Sequence, residues 1–131
     1  METVAATSPT EQVQPELAHK LIASDRVEGT PVCSARTWQK VGTIKRIMID
    51  KLSGHVAYAV LTFGGFIGFG ERHYPVPWAA LHYDPHKEAY VTDITVDQLK
   101  NAPSYEEDAS FDWGDRHEQV NKYYRQPQYW A

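Results

Sequence analysis

Residues 64–78, "GGFIGFGERHYPVPW", decide how this chain is to be understood. Four glycines fall within residues 64–70, and such a cluster either cradles a phosphate or lets two strands turn and pass closely. A dinucleotide fingerprint spaces its glycines G-x-G-x-x-G after a strand and opens a helix whose N-terminus holds the anion. Here Gly65, Gly68 and Gly70 run in the order G-x-x-G-x-G, and Glu71 stands where a phosphate-binding lysine would follow. Pro75 and Pro77 forbid a helix across the next segment. Gly64, Gly65, Gly68 and Gly70 are therefore expected to form a structural loop between strands, with Phe66, Ile67 and Phe69 folded onto the end of a barrel.

Working outward, the flanking sequence alternates short apolar runs with turn chemistry, the pattern of an all-β domain. "RHYPVPWAALHYD" is expected to be one extended segment, placed by its prolines at a sheet edge or barrel closure, with Trp78 and Leu81 in the core. "KLIAS" and "TPVCSA" are expected as the first two strands. "KVGTIKRIMID" keeps Ile47 and Ile49 two apart, but Ile44 lies three residues before Ile47. One inserted residue near Lys45 and Arg46 would keep all three inward, so a β-bulge is predicted there. "KLSG" turns the chain, and "HVAYAVLTF" returns as the partner strand of a hairpin. Asp84 and Pro85 mark a second turn before "YVTDI", and Thr95 is predicted to cap a short helix ending before Pro103.

The return strand is apolar on both faces, with Val56, Tyr58 and Val60 on one side and Ala57, Ala59, Leu61 and Phe63 on the other. A single-layer sheet normally leaves one face wet. The second face needs cover, either from the chain's own C-terminal segment or from another copy of the protein. That C-terminal segment alternates carboxylates with aromatics in "YEEDASFDWGD". It continues through "RHEQVNKYYRQPQYW", where Val120, Tyr123 and Tyr124 are spaced to share a helical face. Trp113, Tyr123, Tyr124, Tyr129 and Trp130 have the character of interface anchors, so they join Val56, Tyr58, Val60, Phe66 and Phe69 as interface candidates. The helix is expected to start near Gly114 and Asp115 and to end before Pro127.

The chain has 131 residues, a net charge of −4 and a single cysteine, Cys33. One core is expected, without an intrachain disulfide. The scattered lysines and arginines give no basic stripe for a nucleic acid. The first residues lack a positively charged n-region and a continuous apolar run, so neither a signal peptide nor a membrane anchor is expected, and a cytoplasmic location follows. Residues 1–18 have the composition of a disordered tail, residues 19–103 that of a β domain, and residues 104–131 form an acidic and aromatic segment with a helix.

The order "LIASDRVEGTPV", "VGTIKRIMIDKLSGHVAYAVLTFGGFIGFGERHYPVPWAAL", "YDP" and "VTDITVDQLKNAP" resembles the PRC-barrel domain over about residues 19–103. That family is found in the cytoplasmic part of the photosynthetic reaction centre H subunit and in the C-terminal half of a ribosome maturation factor. The C-terminal segment is similar to the tail of stand-alone bacterial members. The resemblance implies a small, partly open antiparallel β-barrel with a short helix after the last strand and a C-terminal helical tail. It also implies a binding or docking module with no catalytic residues and no cofactor to carry over. Neither the membrane helix of the first relative nor the companion domain of the second is expected in this sequence, so neither specific function is expected to transfer.

Two functions remain open to the sequence. The favoured one is a non-enzymatic protein-interaction module, expected as a homodimer with further unknown partners. The alternative is a small-ligand- or metal-responsive protein using the 64–70 loop and the histidines near residues 73–86. His73, His82 and His86 are expected as solvated surface groups rather than metal ligands, because neither a cysteine cluster nor an H-E-x-x-H pattern accompanies them. Cys33 is expected as a small core hydrophobe.

Overall fold

The computed structural model describes residues 21–63, 72–106 and 111–126. The 64–70 loop, with Phe66 and Phe69, lies outside the described residues, as do Tyr129, Trp130 and the N-terminal segment expected to be disordered.

Among the described residues, seven strands form one sheet. In chain order they are β1 (Pro31–Ser34), β2 (Lys40–Ile49), β3 (Val56–Thr62), β4 (Arg72–Pro77), β5 (Leu81–Asp84), β6 (Ala89–Thr92) and β7 (Tyr105–Glu106). The spatial order is β5-β6-β1-β2-β3-β4-β7. Neighbours are antiparallel except for β1 and β6, which pair in parallel.

The chain's own connections force this sheet to curl. Five inter-strand spacings separate β4 from β5 in that order, which in a flat sheet would be about 24 Å. Yet β4 passes into β5 through the single 3-10 turn Trp78–Ala80, and the step from Pro77 to Leu81 can reach at most about 14 Å. The two sides of the sheet must therefore approach, which gives the barrel. It stays open because Pro75 and Pro77 pair with Val60 and Tyr58 of β3. Their donor-less nitrogens then fall on the outer edge of β4, where β7 covers only Arg72 and His73.

The β2–β3 hairpin carries the predicted bulge, with a register shift between Ile44 and Arg46. A second shift between Met48 and Ile49 corrects the expectation that all three isoleucines point inward. Ile44 is fully buried and Ile47 half-buried, whereas Ile49 is 52% exposed at the hairpin end. The turn closes with Gly54 at φ 79°, and its N–H donates to the Asp50 carbonyl at 2.9 Å. A different glycine sets the strand spacing: a Cβ on Gly42 would lie 2.8 Å from the Thr62 carbonyl oxygen, so the two strands meet at a distance only glycine permits.

Two further expectations are corrected. "KLIAS" is not a strand. Residues 21–23 are irregular and lead into one helical turn, α1 (Ser24–Val27). Two adjacent apolar residues give no alternation to hold a strand, and Asp25 places a carboxylate in the first helical turn, where the helix dipole favours it. "RHYPVPWAALHYD" is not one extended segment either, because the 3-10 turn at Trp78–Ala80 separates β4 from β5. The helix α2 (Val96–Lys100) follows the sequence closely: Thr95 Oγ1 accepts from the Gln98 N–H at 3.1 Å, and Gln98 Oε1 accepts from the Thr95 N–H at 3.0 Å. The last element is α3 (Trp113–Tyr124).

The core joins Val32, Val41, Ile44, Ala59, Leu61, Val76 and Leu99 from the sheet and α2 to Val120 and Tyr124 of α3.

Candidate interaction surface

The apolar second face of β3 is covered within the chain. Register places Tyr58, Val60 and Thr62 on the same face as Pro77, Pro75 and His73. A run of aromatic rings and the helix α3 lie over it. His73 meets Tyr105 at 5.0 Å between centroids, Tyr105 meets Phe111 at 5.0 Å, Phe111 meets Trp113 at 4.7 Å, and Trp113 meets Tyr58 at 5.3 Å. The Tyr58 hydroxyl reaches the His117 carbonyl at 3.2 Å and also donates to the Asn121 side-chain oxygen. Asn121 in turn donates from Nδ2 to the Gln126 carbonyl at 2.9 Å. The tail helix is thus part of the folded unit, anchored by groups far apart in sequence.

This placement sorts the interface candidates. Tyr58, Val60 and Tyr124 are buried in the chain's own core, so they serve the fold and offer no surface. Val56 and Trp113 are half-buried. Tyr123 is exposed at its ring, while its hydroxyl donates to the Gln98 carbonyl at 2.7 Å and ties α3 to α2.

The histidines are not brought together. His73 is buried, which corrects its expected surface position: it lies on the face of the sheet that the C-terminal aromatics cover, against Tyr105. His82 and His86 are exposed on β5 and the turn after it. Among the described residues, no three His, Cys, Asp or Glu side chains gather closely enough to hold a metal ion. Cys33 is partly buried in β1.

Burial leaves a physical signature in the tyrosines. Burial pushes the Tyr58 phenol up to about 12, and it also raises Tyr90, Tyr105 and Tyr124. An acid whose folded pKa is raised keeps its proton in the native state while the unfolded state loses it. Its contribution is therefore intact below about pH 10 and is lost as pH rises through about 12. Tyr58 alone would remove roughly 2–3 kcal/mol across that window. Thermal melts should show a steady Tm from pH 7 to 9 and a steep fall above 10, made shallower by Tyr58→Phe. A Tm that stays level to pH 12 would contradict the burial.

The exposed apolar groups that the sequence did not single out gather elsewhere. Leu21 (91% exposed), Ile22 and Tyr83 (44%) line a groove of about 380 Å³ together with Ala23, Arg26, Thr30 and Glu88. Trp38, 47% exposed, stands in the next turn, linked through Lys87, whose Nζ lies 5.0 Å from the indole centroid. Three of the seven large exposed hydrophobic residues among the described ones, Leu21, Ile22 and Tyr83, thus line one groove.

These anchors are held in place. The Tyr83 ring packs edge-on against Tyr90 at 5.1 Å, and Tyr90 against Trp78 at 5.2 Å. Trp38 sits at φ 62° and Glu88 at φ 51°, left-handed conformations that cost non-glycine residues on the order of 1–3 kcal/mol. Around Trp38 the turn is fixed by Ser34, whose carbonyl accepts the Trp38 N–H at 2.9 Å and whose Oγ accepts the Arg36 N–H at 3.1 Å. In the other turn Asp84 Oδ1 accepts the His86 N–H at 2.9 Å. The held Tyr83 ring beside Leu21 and Ile22, flanked by Arg26 and Glu88, makes a surface suited to protein contact. Sequence reasoning missed it because its parts come from the start of the domain and from β5 and the turn after it, each bland alone.

No helix among the described residues is long and apolar enough to cross a membrane. Compared with known families, residues 19–99 match the model of the PRC-barrel domain. No curated protein matches the chain.

Proposed function

The chain belongs to the PRC-barrel domain family, and from that premise we propose that it is a non-enzymatic docking module that pairs with a second copy of itself. The observation that carries this reading is the clustering of Leu21, Ile22 and Tyr83 in one groove beside Arg26 and Glu88. A twofold contact brings the same patch of both copies together. With Arg26 and Glu88 in one groove, the arginine of each copy would face the glutamate of the other, and the apolar anchors would meet near the axis. The earlier candidate for such a contact, the outer face of β3, is already occupied by α3, so the docking surface is assigned instead to the groove between residues 21–30 and Tyr83 and Glu88. The dimer would leave Ile49 and Leu52 at the β2–β3 hairpin end for other partners.

Light scattering over a wide concentration range is the test. The expected result is a mass of two chains that falls toward one on dilution, whereas a single-chain mass at high micromolar concentration would refute self-pairing.

A further inference from the structure

A second groove, of about 440 Å³, runs between the end of α2 and the flank of α3. Ala102 and Pro103 belong to one wall, and Arg116, Gln119, Lys122 and Tyr123 form the other. We propose that this groove docks an acidic peptide segment of a partner protein, whose carboxylates meet Arg116 and Lys122. It is separate from the groove that holds Leu21, Ile22 and Tyr83, so the inference does not depend on the dimer.

Charge selects the occupant. The chain as a whole carries a net charge of −4, yet the charged side chains that line this groove are one arginine and one lysine. Among the described residues neither of the two is ion-paired, and the salt bridge found there joins Arg72 to Glu106 at 3.5 Å. Arg116 and Lys122 stand six residues apart on α3, which is about 9 Å of axial rise. In a polyproline II segment, side chains at positions i and i+3 share one face at about that same separation.

The walls are ordered before a partner arrives. The Arg116 guanidinium lies 4.6 Å from the Phe111 ring centroid, and its Nε–H donates to Gln119 Oε1 at 3.1 Å. Stacking and that bond hold the plane of the group and leave its Nη donors for a carboxylate, which suits a two-pronged contact. Tyr123 is fixed at both ends: its hydroxyl donates to the Gln98 carbonyl at 2.7 Å, and its ring packs edge-on against Tyr124 at 4.9 Å. On the other wall, Asn101 Nδ2 donates to the Asp97 carbonyl at 2.9 Å and the Ala102 N–H to the Leu99 carbonyl at 3.1 Å. Side chains already held in place lose little freedom on binding. Between the charges, Pro103 and the Tyr123 ring give the peptide's proline or aliphatic residues an apolar seat.

Fluorescence anisotropy on the full chain tests the assignment. The probe is a short dye-labelled peptide with two glutamates three positions apart and prolines between them, and the control is its glutamine counterpart. The glutamate peptide should reach saturation below about 1 mM, and the glutamine peptide should bind at least about tenfold more weakly. Arg116→Gln should weaken the glutamate peptide by about tenfold, and Lys122→Gln, which removes a solvated cation, by about two- to threefold. Arg116→Lys should fall between wild type and Arg116→Gln, because it keeps the charge and loses the fork. Tyr83→Asp should leave the peptide affinity unchanged, which separates this result from any failure of the dimer. Equal binding of the two peptides, no saturation by the glutamate peptide, or a Lys51→Gln control that weakens it as much as Arg116→Gln would overturn the proposal. So would a single-stranded oligonucleotide that binds more tightly than the peptide, since the cations would then serve a phosphate backbone.

Discussion

Val120→Asp is expected to lower the Tm by at least about 12 °C, or to prevent folding at 37 °C. Val120 is fully buried where α3 joins the core. Losing that burial costs roughly 1.5–3 kcal/mol, and an unpaired carboxylate in its place adds several more or must take up a proton. A domain of this size holds on the order of 5–15 kcal/mol in total, and each kcal/mol shifts Tm by about 4–8 °C in a small domain. Glu118→Lys, on the exposed side of the same helix, should change stability by less than about 0.5 kcal/mol. The contrast is informative because α3 follows the region that the family model matches, residues 19–99. If Val120→Asp melts like the wild type, α3 is an appendage, and the covered face of β3 must be explained by something else. The same substitution should expose the Tyr58 phenol and bring its titration back toward about 10.

Much of the sheet could be seen in the sequence because its signals are local. The three-residue step from Ile44 to Ile47 announces a bulge, Thr95 and Gln98 announce a capping box, and Pro75 with Pro77 announces an edge. Each involves residues a few positions apart, where geometry follows directly from backbone chemistry. The failures share the opposite cause. Whether the outer face of β3 is covered depends on Tyr58 meeting His117 and Asn121, which lie 59 and 63 residues away, and no local pattern encodes that. The break at Trp78–Ala80 follows from the need to cross between the two sides of the sheet in four Cα steps, a constraint visible only once the strand order is known. The groove beside Arg26 and Glu88 was missed for the same reason. Leu21, Ile22 and Tyr83 are ordinary one by one, and folding alone places them together.

The second large effect is expected at the groove that holds Tyr83, Arg26 and Glu88. Tyr83 is a rigid ring at the edge of a groove, held against Tyr90, and anchors of this kind typically contribute 2 kcal/mol or more to an interface. Tyr83→Asp should therefore weaken self-association about thirtyfold or more while leaving the Tm of the isolated chain nearly unchanged, since the ring is 44% exposed. Arg26 and Glu88 sharpen the test, because a twofold axis pairs each with the other across the interface. Reversing either charge sets like charges against each other twice in the dimer, and close like-charge contacts cost several kcal/mol.

The decisive measurement is sedimentation equilibrium on wild type, Arg26→Glu, Glu88→Arg and the double reversal. Pairing through this surface gives dissociation constants at least about tenfold weaker for each single variant, and a double reversal that returns to within about threefold of wild type. Four indistinguishable dissociation constants, or a double variant weaker than either single one, would contradict it.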